Sequence, residues 1–215
     1  VAGWYLDFAT DNADYGGYVR LAGASFWAGV VGLGDHPLVA LRDDEVPRAR
    51  NLDVRTEGLW ASLTEETPGE HWSVGMEAFA VGYDDPVDAL GDERGDRVAL
   101  GLDLEWERDG DVWRVHGELL VADRRIVLDT TGAVFADPPP RLNGRLADGT
   151  ALSTDDIVPV VGADGLLAGG VADDRGLRLQ LAPRWHAPIK ASAAPARALC
   201  RVTTADARTG VAWVA

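Results

Sequence analysis

Residues 71–83 alternate with a period of two. Trp72, Val74, Met76, Ala78 and Ala80 fall on one side, and His71, Ser73, Gly75 and Glu77 on the other, which then turns apolar at Phe79, Val81 and Tyr83. Successive Cβ atoms of a strand point to opposite faces of a sheet, so this spacing predicts a long β-strand and argues against a helix. Residues 98–106 repeat the pattern, with Val98, Leu100, Leu102, Leu104 and Trp106 against Asp103 and Glu105. Such strands suit a barrel wall, one face packed and the other, with polar groups among aromatics, lining a mostly apolar cavity. The expected class is all-β.

The rest of the chain supports that class. Residues 4–8 and 18–22 read as strands around the turn chemistry of Asp11, Asn12, Asp14, Gly16 and Gly17. Residues 26–31 are apolar on both faces and read as a fully buried strand. One long or two short strands are expected over 51–64 around Gly58, and an acidic surface loop with a short helical turn over 84–96. Asp109, Gly110 and Asp111 turn the chain into a hairpin partner carrying Trp113 and Val115. Pro138, Pro139 and Pro140 cannot join a central strand. They divide the chain into a β-barrel over 1–137 and a smaller second β unit over 141–215 packed on it. Residues 157–170 are rich in Gly and weakly patterned, and 198–204 with 211–214 read as a closing hairpin.

Composition narrows the partners. A net charge of −15 repels phosphate backbones and anionic lipid heads, which disfavours nucleic acid and membrane surfaces as partners. No apolar run is long enough for membrane insertion by a helix. The one cysteine, Cys200, excludes an internal disulfide framework and suits a reducing, cytoplasmic setting, where it reads as a small buried hydrophobe. Lys190 is the single lysine among 20 basic residues, which looks like the coding bias of a GC-rich, actinobacterial genome.

Catalytic signatures of phosphate loops, dinucleotide folds, zinc proteases and serine hydrolases are missing. No cofactor is expected. The histidines His36, His71, His116 and His186 are scattered, and no spacing compels a metal site. The best local constellation is Arg114, His116 and Glu118 on one face of one strand, where an imidazole between a guanidinium and a carboxylate could move protons. A solvated outer sheet face would carry the same residues. Glu77 with His71 is the second candidate, on the face that turns aromatic at Phe79, and Asp7 beside Tyr5 is the third. Asp103 and Glu105 oppose a clean apolar face and read as solvated. Tyr5, Trp60, Trp72, Phe79 and Tyr83, with Arg114, are the expected ligand-binding groups.

The runs Gly3-Trp4-Tyr5-Leu6-Asp7-Phe8, Glu57-Gly58-Leu59-Trp60, Glu70-His71-Trp72-Ser73-Val74-Gly75-Met76-Glu77-Ala78-Phe79, Leu102-Asp103-Leu104-Glu105-Trp106-Glu107 and Val115-His116-Gly117-Glu118 resemble a group of actinobacterial proteins. That group is similar to the tandem lipocalin-like superfamily of carotenoid hydratases (hydroxyneurosporene synthase) and decalin-forming Diels–Alderases. The resemblance covers most of residues 3–128 and returns at 197–201 and 209–213. It implies a lipocalin-like antiparallel barrel followed by a shortened second barrel or sheet. The polar motif such proteins carry near the junction of their barrels, with Asp-His and Trp-Gly, is replaced here over 128–140.

Two functions follow as expectations. The first is a cofactor-independent cyclase, isomerase or hydratase/dehydratase that folds a hydrophobic polyketide-, polyene- or terpenoid-like metabolite in the barrel cavity. Glu77, His116, Glu118 and His71 would supply the polar assistance. The alternative is a non-catalytic carrier using the same cavity. A protein-interaction module has only the acidic surface behind it. The partner expected is a hydrophobic small molecule, and a homodimer is allowed.

Overall fold

The computed structural model describes residues 3–47, 52–91, 95–190 and 197–215. Residue 51, at the start of an expected strand, and residues 92–94 of the expected loop lie outside the described residues. The first sheet contains β1 (Trp4–Ala9), β2 (Gly16–Ala22), β3 (Ser25–Val31), β4 (Leu38–Asp43), β5 (Asp53–Thr56), β6 (Leu59–Thr67), β7 (His71–Tyr83), β8 (Asp96–Asp109), β9 (Val112–Val121) and β10 (Arg124–Ala136). A 3-10 turn, Pro86–Leu90, stands in the acidic loop, with the Asp85 side chain accepting from the Val87 N–H.

All pairings in this sheet are antiparallel, in the order β4-β3-β2-β1-β10-β9-β8-β7-β6-β5. The far end of β7 also pairs with β4, Leu38 opposite Tyr83 and Ala40 opposite Val81, which closes an eight-stranded barrel. The near part of β7 pairs with β6, so the β5–β6 hairpin peels off the wall. Apart from that excursion the strands run up and down in chain order, the topology of a lipocalin-like barrel.

The apolar faces point inward. Trp72, Val74 and Met76 of β7 meet Leu100, Leu104 and Trp106 of β8 in one continuous core. Trp72 is 1% exposed and its ring centroid lies 4.5 Å from that of Trp4. An eight-stranded barrel is just wide enough for its own side chains, and these large ones fill it. Each buried Val, Leu or Phe contributes about 1.5–3 kcal/mol. The expected orientation is therefore corrected: the face with His71, Ser73 and Glu77 is the outside of the barrel, and the face expected to pack is the interior itself.

The second sheet begins after the proline run. It comprises β11 (Leu142–Leu146), β12 (Ala151–Thr154), β13 (Ile157–Val161), β14 (Leu167–Asp174), β15 (Leu177–His186), β16 (Ala198–Thr204) and β17 (Thr209–Val214), in the order β12-β11-β17-β16-β15-β14-β13. The weakly patterned 157–170 region thus supplies β13 and the start of β14. The sheet curls into a half-barrel, and its inner face holds Leu142, Ile157, Leu179, Cys200 and Val202. The Ser153 N–H donates to Asp174 Oδ2 at 3.1 Å and Thr154 Oγ1 to the Asp173 carbonyl at 2.8 Å, tying β12 to β14 across the curl.

The outer face of this sheet presents Leu199, Val211 and Trp213 to Tyr5, Tyr18 and Leu38 on the outer wall of the barrel. Strands β1 to β4 are consequently covered on both faces, which explains why residues 26–31 are apolar throughout. Among the described residues no helix is long and apolar enough to cross a membrane.

Candidate functional site

Strand β1 alternates Leu6 and Phe8 into the barrel with Tyr5 and Asp7 outward, and outward here means into the junction. Asp7 is 3% exposed. Asn143, the second residue of β11, reaches across and donates from its amide to Asp7 Oδ2. The Trp106 indole N–H donates to the Asp7 carbonyl at 2.8 Å, and the Trp213 indole N–H to the Phe8 carbonyl at 3.1 Å. Gly132 of β10 permits this crowding, because a Cβ there would stand 1.9 Å from the Asp7 carbonyl oxygen. Arg145 of β11 donates to the Ala9 carbonyl at 3.1 Å and pairs with Asp11.

These elements enclose a cleft of about 160 Å³. Its apolar lining includes Trp113, Val134, Phe135, Leu152 and Trp213, and its polar lining Asp7, Thr131, Asn143, Arg145 and Ser153. A cavity of about 150 Å³ accommodates one benzene ring, so a ring-sized portion of a molecule fits. The Thr131 hydroxyl oxygen is buried without a hydrogen-bond partner. A buried polar atom left unpaired beside a cleft is an available contact for a ligand or a water.

Burial dominates the electrostatics of Asp7. It pushes the carboxyl up to about 8, against the hydrogen bond from Asn143, the charge of Arg145 and the backbone at Ala133, which all pull it down. Removing a carboxylate from water penalises the charged form, so the group stays protonated near neutrality and can donate. Deeper in the junction, Arg197 is 6% exposed and donates to the Tyr5 hydroxyl. Its guanidinium lies 4.8, 4.3 and 5.2 Å from the ring centroids of Tyr5, Tyr18 and Trp213. The ring faces supply negative potential in place of a carboxylate. Burial still draws Arg197 down to about 9.

The residues expected from sequence are dispersed. Glu77 is exposed on the outer wall beside Trp60, which is 37% exposed. Phe79 is 52% exposed under the Arg97 guanidinium, 4.0 Å from its centroid. Trp72 points into the barrel, while Tyr5 and Tyr83 lie in the junction core. Trp60, Trp72, Phe79 and Tyr83 therefore do not wall one cavity. Their β-strand positions point to three different surroundings.

Arg114 is held by Asp129 at 3.0 and 3.2 Å, and Glu118 faces Arg125 at 3.2 Å, both on the outside. The expected Arg114–His116–Glu118 triad is corrected: each of the three pairs with a different residue. His71 and His116 do share the outer wall, meeting Glu105 at 3.1 Å and Glu107 at 3.3 Å. Glu105, expected to be merely solvated, is thus a partner. The expected third candidate, Asp7, is the one the junction encloses.

Asn143, Arg145 and Thr131 are not among the residues expected from sequence. Asp7 carried a signal, a lone charge in the apolar run Trp4-Tyr5-Leu6-Asp7-Phe8. Its partners carried none, because they lie 124 or more positions away in the chain. Comparison with protein-family models, curated proteins and solved structures finds no match for the chain.

Proposed function

We propose that the protein is a cofactor-independent enzyme acting on a hydrophobic small molecule, with the junction cleft as its site and Asp7 as its proton donor. The observation that carries this reading is a carboxyl group kept protonated to about pH 8 inside a partly apolar, ring-sized cleft. A group that titrates near the working pH is suited to general acid–base chemistry, and such groups cluster at functional sites. Asp7 would protonate a double bond or carbonyl oxygen of the bound molecule. The faces of Trp113, Phe135 and Trp213 would stabilise the positive charge that develops. Asn143 and Arg145 would stabilise the carboxylate left behind, which can take back a proton in an isomerisation or deprotonate water in a hydration. The Thr131 hydroxyl would orient the ligand or that water.

The reaction class is an isomerisation, a hydration or dehydration, or a cyclisation begun by protonation, and the substrate class is polyketide-, polyene- or terpenoid-like. Kinship with the tandem lipocalin-like superfamily belongs to the same proposal, supported by a barrel followed by a shorter curled sheet. The reduced, buried Cys200 supports a cytoplasmic setting. An actinobacterial source and a homodimer complete the reading.

A second reading, a non-catalytic carrier, is favoured by one observation. The other carboxylate lining the cleft, Asp111, is exposed, so Asp7 has no buried partner base there. The test is mass spectrometry of hydrophobic metabolites incubated with the protein, scoring binding and conversion together. Conversion lost in Asp7→Asn with binding retained is the expected result. Conversion that survives Asp7→Asn sinks the proton-donor role, and binding without conversion moves the protein to the carrier reading. Glu77→Gln, on the outer wall, is expected to leave both unchanged.

A further inference from the structure

On the outer wall, away from the junction cleft, two histidines and two glutamates converge on three adjacent strands. Strand β8 lies between β7 and β9, with His71 opposite Glu107 and Glu105 opposite His116. Alternation places all four side chains on the outer face, since their neighbours Trp72, Leu104, Trp106 and Val115 fill the interior. The pairs cross diagonally: His71 Nε2 lies 3.1 Å from Glu105 Oε2, and His116 Nε2 lies 3.3 Å from Glu107 Oε2. One ligand atom each from His71, Glu105 and Glu107 lies within 4.8 Å of the other two.

We propose that His71, Glu105 and Glu107 form a binding site for a divalent cation of the Zn²⁺ class, which ties β7 to β8, with His116 of β9 beside it orienting Glu107. A tetrahedral zinc with bonds of about 2.0–2.1 Å sets its ligand atoms about 3.4 Å apart. The His71–Glu105 separation of 3.1 Å already comes close to that edge. The separations to Glu107, within 4.8 Å, close by rotation of its side chain, and a water would take the fourth position. Imidazole nitrogens with carboxylate oxygens suit zinc and its transition-metal neighbours, whereas calcium and magnesium favour all-oxygen sites.

The surroundings favour a cation. The nearby Arg114 is already held by Asp129 through two hydrogen bonds, so its charge is compensated. Glu66 stands behind the site, accepting from Ser73 Oγ at 2.7 Å on the same face of β7. The net charge of −15 raises the concentration of cations around the molecule. The competing arrangement is a pair of imidazole–carboxylate contacts. With side chains between 30% and 48% exposed, such contacts contribute little by themselves.

The experiment is isothermal titration of the chelator-treated full chain with ZnCl₂, with thermal unfolding followed in parallel. One Zn²⁺ per chain is expected, with Kd on the order of micromolar or tighter, accompanied by a rise in Tm. His71→Ala and His116→Ala should each weaken binding by about tenfold or more, with circular dichroism confirming that both variants fold. The isosteric Glu105→Gln and Glu107→Gln should do the same. His36→Ala, whose ring contacts Asp84 at 2.9 Å elsewhere on the barrel, should bind as the parent does. Co²⁺ substitution should give the visible bands of a tetrahedral site. Absence of binding, or binding unchanged in His71→Ala, would overturn the site. Displacement of Zn²⁺ by an equal concentration of Ca²⁺ or Mg²⁺ would overturn it too. The junction reading stands or falls independently, because none of these residues lines the cleft.

Discussion

Replacing Asp7 with Asn tests the electrostatics of the junction directly. The side chains are nearly isosteric, but the variant cannot ionise. In the folded protein Asp7 titrates at about 8, against 3.8 for an ordinary aspartate. Between those values the folded chain keeps a proton that the unfolded chain has released. The unfolded state then binds fewer protons, so stability falls as pH rises through this window and levels off above about 8. The slope is about 1.4 kcal/mol per pH unit, which makes the loss on the order of 4 kcal/mol between about pH 5 and about pH 8. That is a large part of the 5–15 kcal/mol that holds a typical domain. The assay is urea unfolding of both proteins across that range. Other titrating groups act on both chains alike, so the difference between the two curves isolates Asp7. It should grow in favour of Asp7→Asn as pH rises. Parallel curves would show that Asp7 ionises as freely in the fold as outside it, and the proton-donor role would go with them.

Asn143→Ala removes the amide hydrogen bond that favours the charged carboxylate, so Asp7 should titrate still higher; carbon NMR of its carboxyl across a pH series reads the shift. Trp106→Phe deletes the donor to the buried Asp7 carbonyl and should cost about 1–3 kcal/mol in denaturant unfolding, as expected for an acceptor left unsatisfied. Cys200 is fully buried and its thiol is pushed up to about 12 by that burial, so a thiol reagent should label it only as fast as the protein opens; rapid labelling of the native state at neutral pH would contradict the inner-face position.

Much of the fold was legible because its signal is local. The alternation in 71–83 and 98–106 gave β7 and β8. Gly58, at φ +88°, separates β5 from β6 where the turn was expected, and the proline run falls between the last strand of one sheet and the first of the other. The 157–170 strands were obscure because Gly169 and Gly170 leave gaps in the apolar pattern. Facing is not legible in β7, since a period of two says which residues share a side but not which side is inside.

The amino-acid sequence by itself determined the all-β class, the strand spacing, the acidic surface and the division at the prolines, because each depends on residues near one another in the chain. Only the tertiary structure decided which polar residues are enclosed. Strand β1 has an outer face like any other barrel strand, and it becomes an interior surface because the second sheet covers it. Burial there is what raises the Asp7 carboxyl, while Glu77 lies exposed on an uncovered stretch of the same wall. His71 and His116 likewise meet carboxylates only because β8 runs between their strands and sets Glu105 beside one and Glu107 beside the other.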